Sequence, residues 1–321
     1  MQDNNDVASI NSTKVSKHRL WKKAIKWPLY SVAVMPIVLA AGARFGAGET
    51  VRLGQLIGFL TGSVFLLIWE NLTNDLFDAE AGVDAFKLHS VIFLSGNKKL
   101  IRNLAYLMLL IGLLLVLILA LRSSTTVFFL VIGSCFLGYL YQGPPFRLGY
   151  QGLGEPLCFL AFGPLATAAS LLVLSPIGNT EQKVPWGDAF TLGSGPAIAT
   201  TLVLFCSHFH QVVEDAANGK ETLLVKIGTK RAASLIPWFV GTTLGLELLP
   251  IIHGNWPVTA VFGMIALPSG IALIRLLKKH HNNPELISES KFLALRFQTL
   301  NGLGLTLGLA IEPFLKAWFI H

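Results

Sequence analysis

Residues 52–78 read RLGQLIGFLTGSVFLLIWENLTNDLFD, an apolar stretch that ends in a knot of amides and carboxylates. The apolar part approaches the roughly 20 residues that a membrane-spanning helix needs. The polar part, Asn71, Asn74, Asp75 and Asp78, falls at i, i+3, i+4 and i+7, one face of an α-helix. Such a face aims its oxygens in one direction. The dipole disfavours acidic groups at a helix C-terminus, and one at the bilayer centre costs roughly 2.5–3.5 kcal/mol. A divalent cation relieves these penalties and the repulsion between Asp75 and Asp78. An oxygen-only donor set suits Mg²⁺, which binds through one or two carboxylates plus substrate phosphates.

The spacing recurs in HQVVEDAAN, residues 210–218, where Gln211, Glu214, Asp215 and Asn218 again share one predicted helix face. Gln211 and Asp215 stack at i, i+4, whereas the adjacent Glu214 and Asp215 diverge by about 100°. His208 and His210 lie just upstream as candidate substrate contacts. No further soft ligands accompany them, so zinc is not the reading.

Composition sets the context. The chain is 53% hydrophobic and 13% charged, with mean hydropathy +0.60, against about 25% charged in soluble domains. Nine apolar stretches, near 27–48, 52–74, 101–121, 125–142, 155–175, 195–213, 232–252, 257–277 and 297–319, predict an all-α integral membrane protein. Period-2 alternation is absent, which excludes a membrane barrel. Residues 1–20 read as a disordered, basic, cytoplasmic N-terminus and 21–321 as one polytopic domain. The first apolar stretch is too long for a signal-peptide core.

The basic run from Lys14 to Lys26 places the N-terminus in the cytoplasm. With nine spans, only Arg44, Arg52, Arg122, Lys183 and Lys316 of the 25 Lys and Arg fall on the opposite side. The net charge of +7 then reflects contact with anionic lipid, not nucleic acid. Spans 2 and 6 run in the same direction, so both acidic ends meet the cytoplasmic face. Cys135, Cys158 and Cys206 sit in apolar context without CxxC spacing and read as packing residues.

The connection after span 4, YQGPPFRLGYQGLGE at 141–155, is dense in Gly and Pro and predicts a tight, shaped loop. Tyr141 and Arg147 are its candidate substrate contacts; Arg147 is its only cation. Lys220, Lys226, Lys87 and Lys26 join Arg147 on the cytoplasmic face. Arg recognises phosphate bidentately and Lys acts as a point charge. Carboxylates, Mg²⁺ and cations around one cavity fit a diphosphate, and walls of apolar helices fit a long hydrocarbon. Together they point to a prenyl diphosphate.

These residues resemble the UbiA-type membrane prenyltransferase superfamily. Its signature is NDxxDxxxD on span 2 and a DxxxD-like motif on span 6. Here the first reads Asn74-Asp75-Leu-Phe-Asp78 with Gly82 at the last acidic position and Asp84 two residues on. The second reads Gln211-Val-Val-Glu214-Asp215, with Gln in place of its first Asp. YQGPPFRLGYQGLGE and SHFHQVVEDAANGKETLLVKIG (207–228) resemble the MenA-like naphthoquinone phytyltransferase branch of cyanobacteria and plastids.

The resemblance implies nine helices around a central cavity, with Mg²⁺ bridging the acidic motifs and the diphosphate. It implies metal and diphosphate roles for Asn74, Asp75, Asp78 and Asp215. Arg147 takes the place of the basic residue in the loop after span 4, and Lys26 that of an Arg at the start of span 1. Asp84 and Glu214 stand where they compensate for Gly82 and Gln211. Asn71, Gln211, His210, Glu214, Lys220, Lys87 and Tyr141 complete the expected substrate-binding set. The implied reaction transfers a phytyl or other prenyl group to 1,4-dihydroxy-2-naphthoate or a related carboxylated naphthoquinone, with loss of CO₂. The setting would be a cell inner or thylakoid membrane. Rival acceptors are homogentisate, 4-hydroxybenzoate, chlorophyllide and haem. An ion-coupled transporter would place its ionisable groups near the bilayer midplane, and a phospholipid alcohol transferase would carry a DGxxAR run, which is absent.

Overall fold

The structure, a computed structural model, describes residues 27–82, 90–175 and 183–315. Lys26, Lys87, Asp84, Lys316 and the N-terminal segment 1–20 lie outside the described residues. No strand occurs among those described.

The long helices are α1 (Ser31–Gly46), α2 (Leu53–Glu80), α3 (Lys98–Leu121), α4 (Thr126–Gln142), α5 (Gly154–Val173), α6 (Trp186–His208), α7 (Thr229–Ile252), α8 (Val258–His280) and α9 (Ser290–Ala310). Each overlaps one of the expected stretches. By length and apolarity, six are able to cross a membrane: α2, α3, α5, α6, α7 and α8. α1 and α4 are apolar but only 16 and 17 residues long. α9 has 21 residues and carries Lys291, Arg296, Gln298 and Asn301, which lower its hydropathy.

Two large apolar cores hold the bundle, and a smaller one of Trp69, Leu72, Leu76, Ile92 and Ile101 packs the end of α2. One large core gathers Leu39, Phe59, Val116, Val127 and Leu172 from α1 to α5. The other gathers Leu202, Phe205, Ile236, Leu273 and Phe297 from α6 to α9. Helix ends are stated locally in the sequence. Asn97 caps α3 by accepting from the Leu100 N–H at 3.0 Å. Arg44 donates to the Leu171 carbonyl and to Ser175 Oγ, and Arg52 donates to the Ser175 carbonyl at 2.7 Å. Two cations thus satisfy the carbonyl end of α5.

α5 is not straight. A π-type turn over Ala161–Leu165 contains Gly163 at φ −98°, ψ −107°, followed by Pro164. Proline has no N–H and its ring displaces the preceding turn, which bends the helix. Ser134 Oγ of α4 reaches the Ala161 carbonyl at 3.3 Å beside this bend.

α6 differs most from expectation. It ends at His208, and Gln211, with φ −120° and ψ 3°, precedes a separate one-turn helix, Val212–Ala217. The second polar cluster therefore does not extend α6 as one helical face. No Gly or Pro marks this break.

Candidate active site

Three segments meet where α2, α4 and α6 end. α2 runs unbroken through its polar knot and buries Asp75 and Asp78, the latter 3% exposed. Asp75 Oδ2 accepts from the Val91 N–H at 3.1 Å, which ties α2 to the one-turn helix Val91–Ser95. Asn74 lies one position before Asp75 and is half-buried.

The second segment follows α6. Asp215 sits on the short helix 212–217 and is 0% exposed. That helix closes with paired bonds, Gly219 N–H to the Ala216 carbonyl at 3.3 Å and Lys220 N–H to the Asp215 carbonyl at 2.8 Å. This is the Schellman pattern, and Gly219 supplies its left-handed residue at φ +70°. The turn reverses the chain so that Lys220, itself 3% exposed, reaches back over Asp215. Its Nζ lies 3.7 Å from Asp215 Oδ1 and 3.8 Å from Asp78 Oδ1. One buried ammonium thus joins carboxylates 137 residues apart in sequence, from opposite sides of the site.

The third segment is the loop after α4. Tyr150 Oη donates to Asp78 Oδ1 at 2.6 Å, and its ring lies under both Lys220 Nζ, 4.9 Å from the centroid, and the Arg147 guanidinium, at 5.6 Å. Arg147 adopts a left-handed backbone, φ 45°, an uncommon conformation for a side-chain-bearing residue. The loop is anchored from within: a Cβ on Gly149 would stand 2.5 Å from the Tyr141 ring, and one on Gly154 2.6 Å. Only glycine lets the backbone close on that ring. Glu221 N–H to the Tyr150 carbonyl and Lys226 Nζ to the Gln151 carbonyl, both 2.8 Å, fasten the loop to the chain after Gly219.

Beside this focus, Glu155 Oε1 lies 3.2 Å from His208 Nδ1, and His208 Nε2 lies 3.4 Å from Tyr141 Oη. Toward the bundle interior an apolar cavity opens between α1 and α5, lined by Phe59, Leu66, Val131, Ala161, Phe162 and Glu70.

The structure brings Asp75, Asp78, Asp215, Lys220, Arg147 and Tyr141 to one end of the bundle. Asn71 is half-buried on the same helix end, with Nδ2 buried and without a partner among the described residues. Others depart from expectation. Glu214 is exposed, because its neighbour Asp215 takes the inward position on so short a helix. His210 turns toward α9, where its Nε2 lies 3.0 Å from Ser290 Oγ. Gln211 is half-buried at the break, and Lys226 reaches the Gln151 carbonyl and, at 3.8 Å, the exposed Glu221. Gly82, at φ +80°, ends α2 just as Gly219 ends the short helix. Spacing does not single out Tyr150, Glu155 or Glu70. The partners of Tyr150 and Glu155 are distant in sequence, and only an inward acid on an apolar helix hints at Glu70.

Among the described residues, no three His, Cys, Asp or Glu side chains gather closely enough to cage a metal. That is the arrangement Mg²⁺ tolerates, since it takes few protein carboxylates and completes its shell from phosphates and water. The Lys220 ammonium marks where the charges of Asp78 and Asp215 converge on a cation.

The profile of the UbiA prenyltransferase family matches residues 33–295. The chain is 36% identical over 298 residues to the 2-carboxy-1,4-naphthoquinone phytyltransferase of Synechocystis sp., covering 92% of this chain and 95% of that one. It is 35% identical over 309 residues to the chloroplastic 2-carboxy-1,4-naphthoquinone phytyltransferase of Arabidopsis thaliana, covering 95% and 81%. In structure it aligns with a UbiA homolog from Archaeoglobus fulgidus at TM-score 0.60 and 18% identity, covering 93% and 100%. The same homolog bound to GPP and Mg²⁺ aligns at TM-score 0.55 and 17% identity, again covering 93% and 100%. The chain belongs to the UbiA prenyltransferase family.

Proposed function

We propose that the protein transfers a phytyl or related prenyl group from its diphosphate to a carboxylated naphthoate or naphthoquinone, with loss of CO₂, in naphthoquinone biosynthesis. The observation that carries this reading is the convergence of Asp78 and Asp215 on one buried cation, with an apolar cavity that begins at Glu70, about two turns back along α2. The two phytyltransferase relatives, matched along nearly the whole chain, select the acceptor class.

Each residue has a task in this chemistry. Lys220 and Arg147 hold the diphosphate electrostatically, where negative charge develops as the allylic C–O bond breaks. Tyr150 fixes the rotamer of Asp78 and underlies both cations. Asn74, Asp75, Asp78 and Asp215 would hold Mg²⁺, which when bound supplies further neutralisation of the departing diphosphate. The apolar cavity takes the hydrocarbon and keeps water from the allylic cation. We infer from the basic run before the first helix that the N-terminus faces the cytoplasm, and from a nine-crossing topology that this rim lies on the same side of an inner or thylakoid membrane.

Asp78→Ala and Asp215→Ala, assayed in membranes with Mg²⁺, phytyl diphosphate and 1,4-dihydroxy-2-naphthoate, should each lose turnover by on the order of 10²–10³. Undiminished turnover in both variants would overturn the assignment. EDTA should abolish the activity and added Mg²⁺ restore it.

A further inference from the structure

The apolar cavity has a defined length. Along α2 its lining includes Phe59, Ser63, Leu66 and Glu70, spaced as one helical stripe. Glu70 marks the upper end. It is the only charged side chain lining the cavity among the described residues, and the stripe continues past it at i+4 and i+8 through Asn74 and Asp78. Asp78 stands about 12 Å of rise above Glu70, room for a diphosphate and the reacting carbon.

Phe59 marks the lower end. It is 4% exposed, and Ile37 and Val116, which line the cavity with it, are 2% and 0% exposed. α2 and α3 close together on either side of this level. A Cβ on Gly62 would stand 3.5 Å from Val116, and one on Gly58 3.3 Å from Leu119. Leu119, Ala120 and Leu172 then fill the interior as part of the same core as Phe59. One turn further along the stripe, Gln55 is buried, with neither amide atom hydrogen-bonded among the described residues. Hydrocarbon cannot satisfy such an amide. The cavity therefore ends at a ring backed by close packing, with a polar group behind it.

From Glu70 to Phe59 is 11 residues, about 16 Å of rise. An extended chain advances about 1.2 Å per bond, so the sixteen-carbon main chain of a phytyl or geranylgeranyl group spans about 18 Å. Its first bonds lie above Glu70 and its last carbons reach Phe59. A geranylfarnesyl group, one isoprene unit longer, adds about 5 Å and would end inside the packed core. We propose that Phe59 is the floor of a length gauge for the prenyl donor, which admits a tail of four isoprene units and turns away longer ones. This rests on the prenyl-transfer reading above and narrows its substrate. Phe59 acts by contact with the last isoprene unit and takes no part in bond making or breaking.

The test uses the full-length protein in membranes, with the acceptor fixed as 1,4-dihydroxy-2-naphthoate. It compares kcat/KM for geranyl, farnesyl, phytyl, geranylgeranyl and geranylfarnesyl diphosphates. The wild type should favour the phytyl and geranylgeranyl donors and lose about tenfold or more with geranylfarnesyl, whose end overpacks the core. Phe59→Ala opens about one further turn and should raise the geranylfarnesyl-to-geranylgeranyl ratio about tenfold. Phe59→Leu, a milder truncation, should raise it less. Ser63→Phe fills the hollow about 10 Å below Glu70, just past the end of a geranyl tail of about 8 Å. It should raise the geranyl-to-geranylgeranyl ratio about tenfold or more. Each ratio is read within one preparation, so the folded fraction cancels. An identical length profile in wild type and variants, a shift in the same direction for Phe59→Ala and Ser63→Phe, or loss of every donor alike in Ser63→Phe would overturn the gauge. An active wild type with any of these outcomes, or with a flat length profile, breaks this inference alone. A wild type inactive with every donor, or an active Asp78→Ala, breaks the reading beneath it.

Discussion

The ends of α2 and α6 carry the same spacing of polar residues and solve it in different ways. α2 keeps its helix to Glu80 and presents Asp75 and Asp78 from a rigid rod. α6 stops at His208, and Asp215 is delivered by a one-turn helix whose closing turn also returns Lys220. The first device fixes carboxylates; the second fixes a carboxylate and a cation together. The lesson is that equal spacing states which residues share a face, but not whether the helix beneath them is continuous. Here the broken version does more, because a reversal of the chain lets neighbouring residues face each other.

If the two ends act as one unit through Lys220, its loss should have the largest effect beyond the aspartates. Lys220→Met is expected to lower turnover by on the order of 10². Combining it with Asp215→Ala should cost little more than the worse single change, since residues that act as a unit are not additive. A fully additive double mutant would separate the two ends. Tyr150→Phe removes the 2.6 Å bond to Asp78 while keeping the ring under the cations, and should cost about tenfold in kcat/KM.

The two terminal glycines sharpen the contrast further. Nothing lies within 4 Å of a Cβ added at either Gly82 or Gly219, so alanine at each costs only backbone strain, about 1 kcal/mol of stability. Gly219→Ala should also lower activity a few-fold, because Lys220 moves with the turn, whereas Gly82→Ala should leave kcat/KM unchanged. Thermal unfolding and kinetics on the same preparations give both readings. The smallest effect concerns pH. Burial first, and then Lys291, holds His210 below the usual histidine pKa. The unfolded chain therefore binds the extra proton, and stability should rise with pH between that lowered value and about 6.5, then level off. His210→Gln should flatten this slope in unfolding measured across pH.

Much of this architecture is legible in the sequence. Apolar length sets the helices to within a few residues at most ends, and the acids at the end of α2 announce the site. The expected start of α6 falls late, because Asp188, Thr191 and Ser194 look like loop residues; in the fold they belong to the first turns of the helix, where Asp188 and Thr191 are exposed. Its break has no sequence signal, since Phe209, His210 and Gln211 carry no punctuation of their own. Tyr150 is visible within a loop of evident shape, yet its partner Asp78 lies 72 residues away, a distance no local pattern spans. Glu214 and Asp215 are equal candidates in sequence, and packing alone makes one exposed and the other inward.

Straight helices packed at about 8–10 Å between axes leave little space for a hydrocarbon chain. The bend at Gly163 and Pro164 falls beside the hollow, whose lining includes none of Asp78, Tyr150 and Lys220. The calibre of the hollow and the charge of the acidic cluster are thus written in separate parts of the chain. Enzymes on this scaffold are free to change the girth of tail they accept while leaving the grip on its headgroup as it was.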